Sequence, residues 1–181
     1  MDLYFFAILP NMELQERVQQ IKLDLKEKYG VKHALKLPAH ITLQPPFRMD
    51  CGLEKDLFEE LDEFTQNQEF LKVQLSGFGA FPPRVIFIPV VHHESLSELR
   101  KQFLKILYRH IPPEEKGINP NFHPHITLAT RDLLPETFKP AWLELRSKEF
   151  SASFLAEGFS LLKHNGKNWD LYRQFPFHKT G

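Results

Sequence analysis

His40-Ile-Thr-Leu43 recurs, residue for residue, as His125-Ile-Thr-Leu128. The chain has nine histidines among 181 residues, so an identical repeat around two of them is improbable by chance. In each copy the histidine and the threonine are two positions apart, which is the side-chain period of a β-strand. Each motif therefore predicts a strand that presents an imidazole and a hydroxyl on one face and packs two aliphatic side chains behind them.

Strand and helix signals alternate along the whole chain, without a linker rich in glycine or serine. Helices are predicted from apolar spacing and capping signals: one from Pro10-Asn11 to Gly30, one carrying Leu53, Leu57, Leu61 and Phe64, one opened by the capping box Ser95-Leu-Ser-Glu98, and one around residues 135–147. Besides the two motifs, strands are predicted at residues 3–9, 70–78, 84–91, 150–163 and 167–175. The turn signal Asn165-Gly166 joins the last two strands.

Each half of the chain contains a helix, a motif strand, another helix and a strand pair, which indicates an internal duplication. The expected fold class is α+β, with one domain over residues 1–181. We expect two pseudo-symmetric lobes, roughly residues 1–91 and 92–181, each an antiparallel sheet flanked by helices. The two His-x-Thr motifs would then meet across a central cleft.

The composition excludes several classes of protein. A formal net charge of zero and a pI near 7.1 argue against a protein that coats long nucleic acid. The single cysteine, Cys51, cannot form an internal disulfide and indicates a reducing compartment. The apolar run at residues 3–9 is too short to span a bilayer and has no basic segment before it. We therefore expect a soluble, cytoplasmic protein that does not bind membranes and needs no obligatory protein partner.

The sequence resembles the 2H phosphoesterase superfamily, specifically its 2′-5′ RNA ligase-like proteins, whose hallmark is two His-x-Thr/Ser-x motifs. The segment Pro-Ala-His-Ile-Thr-Leu-Gln-Pro-Pro-Phe47 is similar to the first motif of that family, and Phe122-His-Pro-His-Ile-Thr-Leu-Ala is similar to the second. Phe78-Gly-Ala-Phe-Pro-Pro-Arg84 is similar to the central hairpin of the family, so the resemblance covers nearly the whole chain. Many relatives carry an arginine five positions after the second motif histidine, where this chain has Thr130 followed by Arg131.

Two imidazoles on opposite sides of one phosphorus suit in-line cleavage of a phosphodiester. Imidazole has an ordinary pKa of about 6.5, so near neutral pH one ring can be neutral while the other is protonated. The neutral ring removes a proton from the attacking water or hydroxyl, and the protonated ring gives one to the leaving oxygen. We assign His40 as the acid and His125 as the base, with the reverse left open. Thr42 and Thr127 would donate hydrogen bonds to the phosphate oxygens.

The resemblance implies a substrate with a 2′,3′-cyclic phosphate or a 2′-5′-type phosphodiester, on RNA or a nucleotide. Hydrolysis of this bond needs no metal or cofactor in the two-histidine scheme. The family also admits 2′-5′ RNA ligation, although a chain of zero net charge is poorly suited to gripping two RNA ends. A third reading is a binding module that captures a nucleotide or RNA end without turnover.

Other residues are weaker candidates. Phe47, Arg84 and Arg131 are the possible substrate contacts, with Phe81, Trp169, Tyr172, Arg48 and Lys163 as further aromatic or basic candidates. Core packing for the aromatic residues and solvent exposure for the basic ones are at least as common. His92-His93 and His123-Pro-His125 have the appearance of metal pairs, but no cysteine cluster or His-Glu helix motif completes a ligand set, so no metal is expected.

Overall fold

The computed structural model describes residues 1–117 and 121–178, so part of the predicted loop at residues 110–121 lies outside the described residues. The helices are α1 (Met12–Tyr29), α2 (Glu54–Gln66), α3 (Glu94–His110) and α4 (Pro135–Leu145). The strands are β1 (Asp2–Ile8), β2 (Ile41–Met49), β3 (Leu71–Ser76), β4 (Gly79–Phe81), β5 (Val85–Val91), β6 (His125–Ala129), β7 (Ser151–Ala156), β8 (Gly158–His164) and β9 (Trp169–Pro176). Over the described ranges, no helix is long and apolar enough to cross a membrane.

The strands form a sheet in the order β7-β3-β5-β6-β2-β1-β8-β9, with β4 paired to β5. Each of these pairings is antiparallel. The predicted mixture of helices and antiparallel sheet is therefore confirmed. The motif strands β2 and β6 are neighbours in the middle of the order, with three strands beyond each of them.

The strands on the two sides of this junction come from both halves of the sequence. β6 is followed outward by β5, β3 and β7, whereas β2 is followed by β1, β8 and β9. A division of the chain between residues 91 and 92 therefore does not separate the strands on one side of the junction from those on the other, because the C-terminal strands β8 and β9 extend the sheet beside β1. The two half-repeats stay a prediction.

Helix α1 begins and ends where the local sequence signals place it. The side chain of Asn11 accepts a hydrogen bond from the amide of Leu14 at 3.1 Å, which satisfies a free donor of the first turn. Gly30 has φ 72° and its amide donates to the carbonyl of Lys26 at 2.9 Å, a helix end that favours glycine. The helix contacts β6, so α1 packs against the second motif strand.

The capping box predicted for α3 is wrong. The helix begins at Glu94, so Ser95 lies inside the first turn and does not cap it. β5 ends at Val91, and His92, with φ 51°, turns the chain directly into the helix. The carbonyl of His93 then accepts the first helical hydrogen bond, from the amide of Ser97 at 2.8 Å.

The predicted strand at residues 150–163 is in fact two strands, β7 and β8, with Glu157 between them. They pair with different neighbours, β3 and β1. Gly158 begins the second strand, and a Cβ there would lie 2.4 Å from the backbone oxygen of Phe175. Only glycine permits this close approach of β8 to β9, so this residue marks where the chain passes from one side of the sheet to the other.

Candidate active site

The two motifs meet through their middle residues. Ile41 on β2 lies directly opposite Ile126 on β6 in an antiparallel pair. Positions that flank such a pair are matched in opposite directions along the two strands. Each motif histidine therefore lies alongside the threonine of the other motif: His40 with Thr127, and His125 with Thr42.

The burial of the motif residues follows the period of a strand. The aliphatic side chains are buried, with exposed fractions of 1% or less: Ile41, Leu43, Ile126 and Leu128. The two imidazoles and the two hydroxyl side chains are half-buried. One face of the paired motifs is thus part of the core, and the other presents imidazole and hydroxyl groups to a common space.

Both motif histidines have one ring nitrogen fixed by the backbone two residues earlier. His40 Nδ1 lies 2.9 Å from the carbonyl oxygen of Pro38, and His125 Nδ1 lies 2.6 Å from that of His123. A carbonyl oxygen only accepts, so each Nδ1 carries a hydrogen and donates it, which is an assignment from the hydrogen-bond pattern. The Nε2 atom of each ring is consequently the one that takes up or releases a proton.

The surroundings lower the pKa of both imidazoles. For His40, burial is the main cause, and the positive charges of Lys22 and His125 lower the pKa further, while the hydrogen bond to Pro38 opposes these effects. For His125, burial again lowers the pKa most, His123 adds to it, and the backbone hydrogen bond opposes it. Both rings therefore release a proton more readily than an ordinary histidine until a bound anion favours the charged form.

Two clefts open beside the motifs. The His40 cleft has a volume of about 230 Å³ and is lined by Phe5, Lys22, His33, Ala34, Lys36, Leu37, His40, Thr42, Pro46, Thr127, Thr130, Arg131 and Trp169. The His125 cleft has a volume of about 200 Å³ and is lined by Thr42, Leu43, Pro45, Phe81, Arg100, Gly117, Phe122, His123, Pro124 and His125. Thr42 lines both, so the two clefts meet at the paired motifs.

An aromatic ring lies against each motif histidine. The ring centroid of Phe5, on β1, is 5.4 Å from that of His40, and the centroid of Phe87, on β5, is 4.7 Å from that of His125. Phe81 is 5.7 Å from His125 in a perpendicular arrangement and is 43% exposed. The first two rings restrict the imidazoles, and the exposed face of Phe81 can stack against a planar ligand.

The residue before His40 is fixed by a side chain of α1. The Gln15 side-chain amide donates to the carbonyl of Ala39 at 2.7 Å, and its oxygen accepts from the amide of Ala39 at 2.7 Å. The corresponding residue of the second motif, Pro124, has no amide hydrogen, and its carbonyl accepts from Val90 at 3.0 Å. Gln15 therefore satisfies, at the first motif, the two backbone groups that lie beyond the paired part of β2.

A buried lysine supports the wall of the His40 cleft. Lys22, on α1, is 2% exposed, and its Nζ donates to the carbonyls of Ala34 at 3.0 Å and Leu37 at 3.2 Å. Burial lowers the pKa of Lys22 to about 8. The ammonium thus holds the segment between α1 and the first motif, and its charge acts on His40.

The sequence does not single out Lys22 or Gln15 as members of the site, although Lys22 carries a usable signal. It falls four positions after Val18 and three before Leu25, on the apolar stripe of α1. A lysine on a buried stripe needs a specific partner. Gln15 has no comparable signal, because its partner is the backbone of a residue 24 positions away.

The predicted substrate contacts are only partly brought together. Arg131 and Trp169 line the His40 cleft, and Phe81 lines the His125 cleft. The prediction for Phe47 is wrong, because its side chain is fully buried and its ring packs 5.9 Å from that of Phe6, nearly parallel. Phe47 alternates with exposed neighbours on β2 and faces the core.

The remaining basic and aromatic candidates lie elsewhere. Arg84 is exposed in the turn between β4 and β5 and lines neither cleft, so a contact with a ligand held there is not supported. Arg48 is exposed, and its backbone amide donates to Glu115. Lys163 pairs with Asp2 at 2.8 Å and Glu54 at 3.2 Å, and the Tyr172 hydroxyl donates to Glu54 at 2.8 Å. Lys163 and Tyr172 therefore belong to a polar cluster that joins β1, α2, β8 and β9.

Across residues 1–117 and 121–178, no three His, Cys, Asp or Glu side chains are grouped as metal ligands. His123 is exposed, and its ring packs edge-on against Phe81 and Phe87 at 5.3 and 5.4 Å. His93 Nδ1 lies 2.9 Å from the hydroxyl of Ser97. The two histidine pairs seen in the sequence thus have aromatic and hydroxyl neighbours.

Residues 10–168 match the model of the 2′-5′ RNA ligase superfamily. The chain therefore belongs to this superfamily. A protein of Geobacillus sp. (strain WCH70) named "Putative phosphoesterase" is 27% identical over 176 residues, which cover 95% of this chain and 94% of that protein. A Bacillus pumilus (strain SAFR-032) protein, also named "Putative phosphoesterase", is 24% identical over 182 residues, with 98% and 99% coverage.

Solved structures of low sequence identity share the fold of this chain. TT0787 of Thermus thermophilus matches with a TM-score of 0.71 at 20% identity and covers 100% of both chains. Escherichia coli LigT in complex with NADP+ matches with a TM-score of 0.66 at 19% identity and covers 98% of both chains. LigT has also been crystallised with 3′-AMP, ATP and phosphate.

Proposed function

We propose that this superfamily member hydrolyses a 2′,3′-cyclic phosphate or a 2′-5′-type phosphodiester on RNA or a nucleotide. His40 and His125 exchange protons with the reacting groups, and Thr42 and Thr127 bind the phosphate. The observation that carries the proposal is the opposed pair Ile41–Ile126, which gives two imidazoles and two hydroxyls one common face. The phosphoesterase name of the relatives and the nucleotide and phosphate complexes of LigT support it.

The reaction needs two proton transfers on opposite sides of the phosphorus. For a cyclic phosphate, the neutral imidazole takes a proton from water as the water oxygen bonds to phosphorus. The bond from phosphorus to one ribose oxygen breaks, and the imidazolium gives its proton to that oxygen, which leaves a monoester and a free hydroxyl. The hydroxyls donate to the non-bridging oxygens, whose charge is greatest in the pentacoordinate state. We also propose that the chain forms two pseudo-symmetric lobes, and that each lobe supplies one histidine and one threonine to the site.

The charges near the two rings favour one assignment of their roles. The ammonium of Lys22 lowers the pKa of His40, whereas the neighbour that lowers the pKa of His125 is His123, whose imidazole is a weaker base than an amine and carries less positive charge near neutral pH. A positive neighbour favours the neutral ring, which is the form that acts as a base. We therefore assign His40 as the base and His125 as the acid, the reverse of the first assignment made from the sequence.

The direct test is incubation of the protein with 2′,3′-cyclic nucleotides in the presence of EDTA. Release of a nucleoside monophosphate supports the proposal. Tight binding without product would instead identify a binding module, and joining of RNA ends into a 2′-5′ linkage would identify a ligase. Product formation that EDTA abolishes would contradict the two-histidine scheme.

The rate is expected to depend on pH as a bell. One limb reports protonation of the base as the pH falls, and the other reports loss of the proton from the acid as the pH rises. The pKa of each motif histidine is lowered in the free protein, so the optimum of kcat/KM should lie below about pH 6.5. A bound phosphodiester anion favours the imidazolium, so the kcat optimum should lie at higher pH than that of kcat/KM. Initial rates between pH 4 and 9 measure both, and a plateau without an acidic limb would contradict the scheme.

Gln15 is expected to act on the rate by fixing the backbone before His40. A carboxylate in Gln15→Glu still accepts from the Ala39 amide but cannot donate to its carbonyl, and Gln15→Leu can do neither. We expect kcat to fall by about tenfold in the first variant and further in the second, with KM little changed. The limbs of the pH profile should stay in place in Gln15→Leu, which adds no charge near His40. Gln19→Leu, at an exposed position of the same helix, is the matched control. Equal kcat in all four proteins would remove Gln15 from the site.

A further inference from the structure

The two clefts differ sharply in charge. Besides the motif histidine, the His40 cleft is lined by four basic side chains, Lys22, His33, Lys36 and Arg131, which we call the basic arm. No acidic residue is among the described residues that line this cleft. In the His125 cleft the strongly basic side chain is Arg100, whose Nε donates to the carbonyl of Leu43 at 2.7 Å and whose guanidinium lies 4.5 Å from the ring of Phe122. Free positive charge is thus concentrated beside His40.

The basic arm is built into the fold by two anchors, the buried Lys22 and the half-buried Asp132. Lys22 donates to the carbonyls of Ala34 and Leu37, which uses two of the three hydrogens of its ammonium. Asp132 Oδ2 accepts from the backbone amides of Lys32 at 2.9 Å and His33 at 2.8 Å. The segment that carries His33 and Lys36 is therefore fastened on one side to α1 and on the other to the residue that follows Arg131.

Arg131 has an unusual backbone conformation. Its φ is 57°, and the amide of Asp132 donates across it to the carbonyl of Thr130 at 2.6 Å. Such a γ-turn is rare and strained for a residue other than glycine. Strain of this kind persists where neighbouring contacts enforce it, and it is frequent at ligand sites. Here the turn comes directly after β6 and places Arg131 on the wall of the His40 cleft.

The charges of the arm repel one another in the absence of a ligand. The pKa of His33 is lowered by burial first and then by the charges of Arg131 and Lys36, while Asp132 acts in the opposite sense. Lys22 likewise lowers the pKa of His40. An anion in the cleft would relieve these repulsions and bind several charged donors at once.

We propose that the basic arm binds a second phosphate of the substrate, separate from the phosphate that reacts between the motif histidines. This inference rests on the proposed function for the identity of the reacting group, and it narrows the substrate class. The preferred substrate is a nucleotide or RNA end in which the sugar that carries the reacting phosphodiester also carries another phosphate. A nucleoside cyclic phosphate without that group leaves the arm unfilled.

The test compares two ligands that cannot be hydrolysed at a cyclic bond, adenosine 3′-monophosphate and adenosine 3′,5′-bisphosphate, by calorimetric titration. We expect the bisphosphate to bind at least about tenfold more tightly, as one or two charge-assisted hydrogen bonds would give. The difference should vanish in the double variant Lys36→Gln/Arg131→Gln. It should persist in Lys72→Gln/Arg146→Gln, which removes the same charge at exposed positions outside both clefts. Equal binding of the two ligands by the unaltered protein, or a preference that survives the first double variant, would overturn the proposal.

A second measurement separates this proposal from the proposed function. Rates are compared for adenosine 2′,3′-cyclic phosphate with and without a 5′-phosphate. We expect the 5′-phosphate to raise kcat/KM by about tenfold through KM, and the ratio of kcat/KM between the two compounds to fall to about one in the Lys36→Gln/Arg131→Gln variant, whatever its rate on the compound without the 5′-phosphate. If neither compound is hydrolysed while the bisphosphate still binds preferentially through the arm, the proposed hydrolysis is wrong and the second phosphate site stands.

Discussion

His40→Ala and His125→Ala are each expected to lower kcat for a 2′,3′-cyclic nucleotide by about 10²- to 10⁴-fold. Each imidazole makes a different proton transfer, and loss of a positioned acid or base costs a factor of this size. Because both transfers belong to one step, the double variant should be little slower than either single variant. Initial rates with the three variants and unaltered protein measure this, and unchanged circular dichroism spectra confirm that the variants fold.

The leaving group distinguishes the two histidines. A 2′-deoxynucleoside 3′-(4-nitrophenyl phosphate) has no 2′-hydroxyl to attack the phosphorus, so water is the nucleophile, and the ester releases a weakly basic phenolate that needs no proton from an acid. The variant that lacks the acid should therefore lose much less activity on this ester than on the cyclic nucleotide, whereas the variant that lacks the base should lose activity on both. With His125 as the acid, His125→Ala is the variant that recovers. Recovery of His40→Ala instead would reverse the assignment, and His178→Ala, at an exposed position outside both clefts, should match the unaltered protein.

The parts of the site that the sequence predicts are those encoded by short-range patterns. The His-Ile-Thr-Leu alternation indicates which side chains face the core, and the structure has Ile41 and Ile126 fully buried. The ends of α1 follow from Asn11 and Gly30 because a cap and a left-handed turn depend on neighbouring residues only. The fold class follows from the alternation of strand and helix signals along the chain, and the resemblance to one superfamily agrees with it.

The parts that the sequence does not predict depend on distant partners. Gln15 and Lys22 act on the first motif through backbone atoms of residues 34–39. The place of Lys22 on the buried stripe of α1 signals that it has a partner, but the sequence does not identify the partner of either residue. Phe47 is an aromatic residue close to the first motif and so could contact a ligand, but the alternation of buried and exposed side chains along β2 turns it toward Phe6 and the core. Gly158 marks the break between β7 and β8, but the reason for a glycine there is the close approach of the Phe175 backbone in another strand, which the sequence does not show.

The two motifs are therefore embedded in unequal surroundings. His40 and His125 occupy equivalent positions on the paired strands, since each Nδ1 donates to the backbone carbonyl two residues earlier. The flanking segments differ, because four basic side chains line the cleft of His40, whereas Phe81 and Phe87 both pack on the ring of His125. Two imidazoles of equal pKa would hold the shared proton equally often, so a difference between their pKa values favours one assignment of acid and base. In the proposed mechanism Lys22, whose charge lowers the pKa of His40, contributes that difference.

Thr42→Val and Thr127→Val are each expected to lower kcat by about 10²- to 10³-fold, with a smaller change in KM. The hydroxyl donates to a non-bridging oxygen that gains charge in the transition state, so its loss is felt mainly in the rate. Serine keeps the hydroxyl, so Thr42→Ser and Thr127→Ser should retain most of the activity. Thr137→Val, on α4 and outside both clefts, is the matched control for the loss of a hydroxyl.

The two threonines should also differ in which oxygen they bind. The antiparallel register places Thr127 beside His40 and Thr42 beside His125, so their hydroxyls approach the phosphate from opposite sides. Replacing one non-bridging oxygen by sulfur weakens the hydrogen bond on that side only. We expect the Rp and Sp cyclic phosphorothioates to react at different rates. Each Val variant should no longer be slowed by sulfur at the site of its own missing hydroxyl, so Thr42→Val and Thr127→Val should prefer opposite diastereomers. Identical effects of the two variants on both diastereomers would mean that the hydroxyls do not act on separate oxygens, and that the motif threonines serve the strands instead of the phosphate.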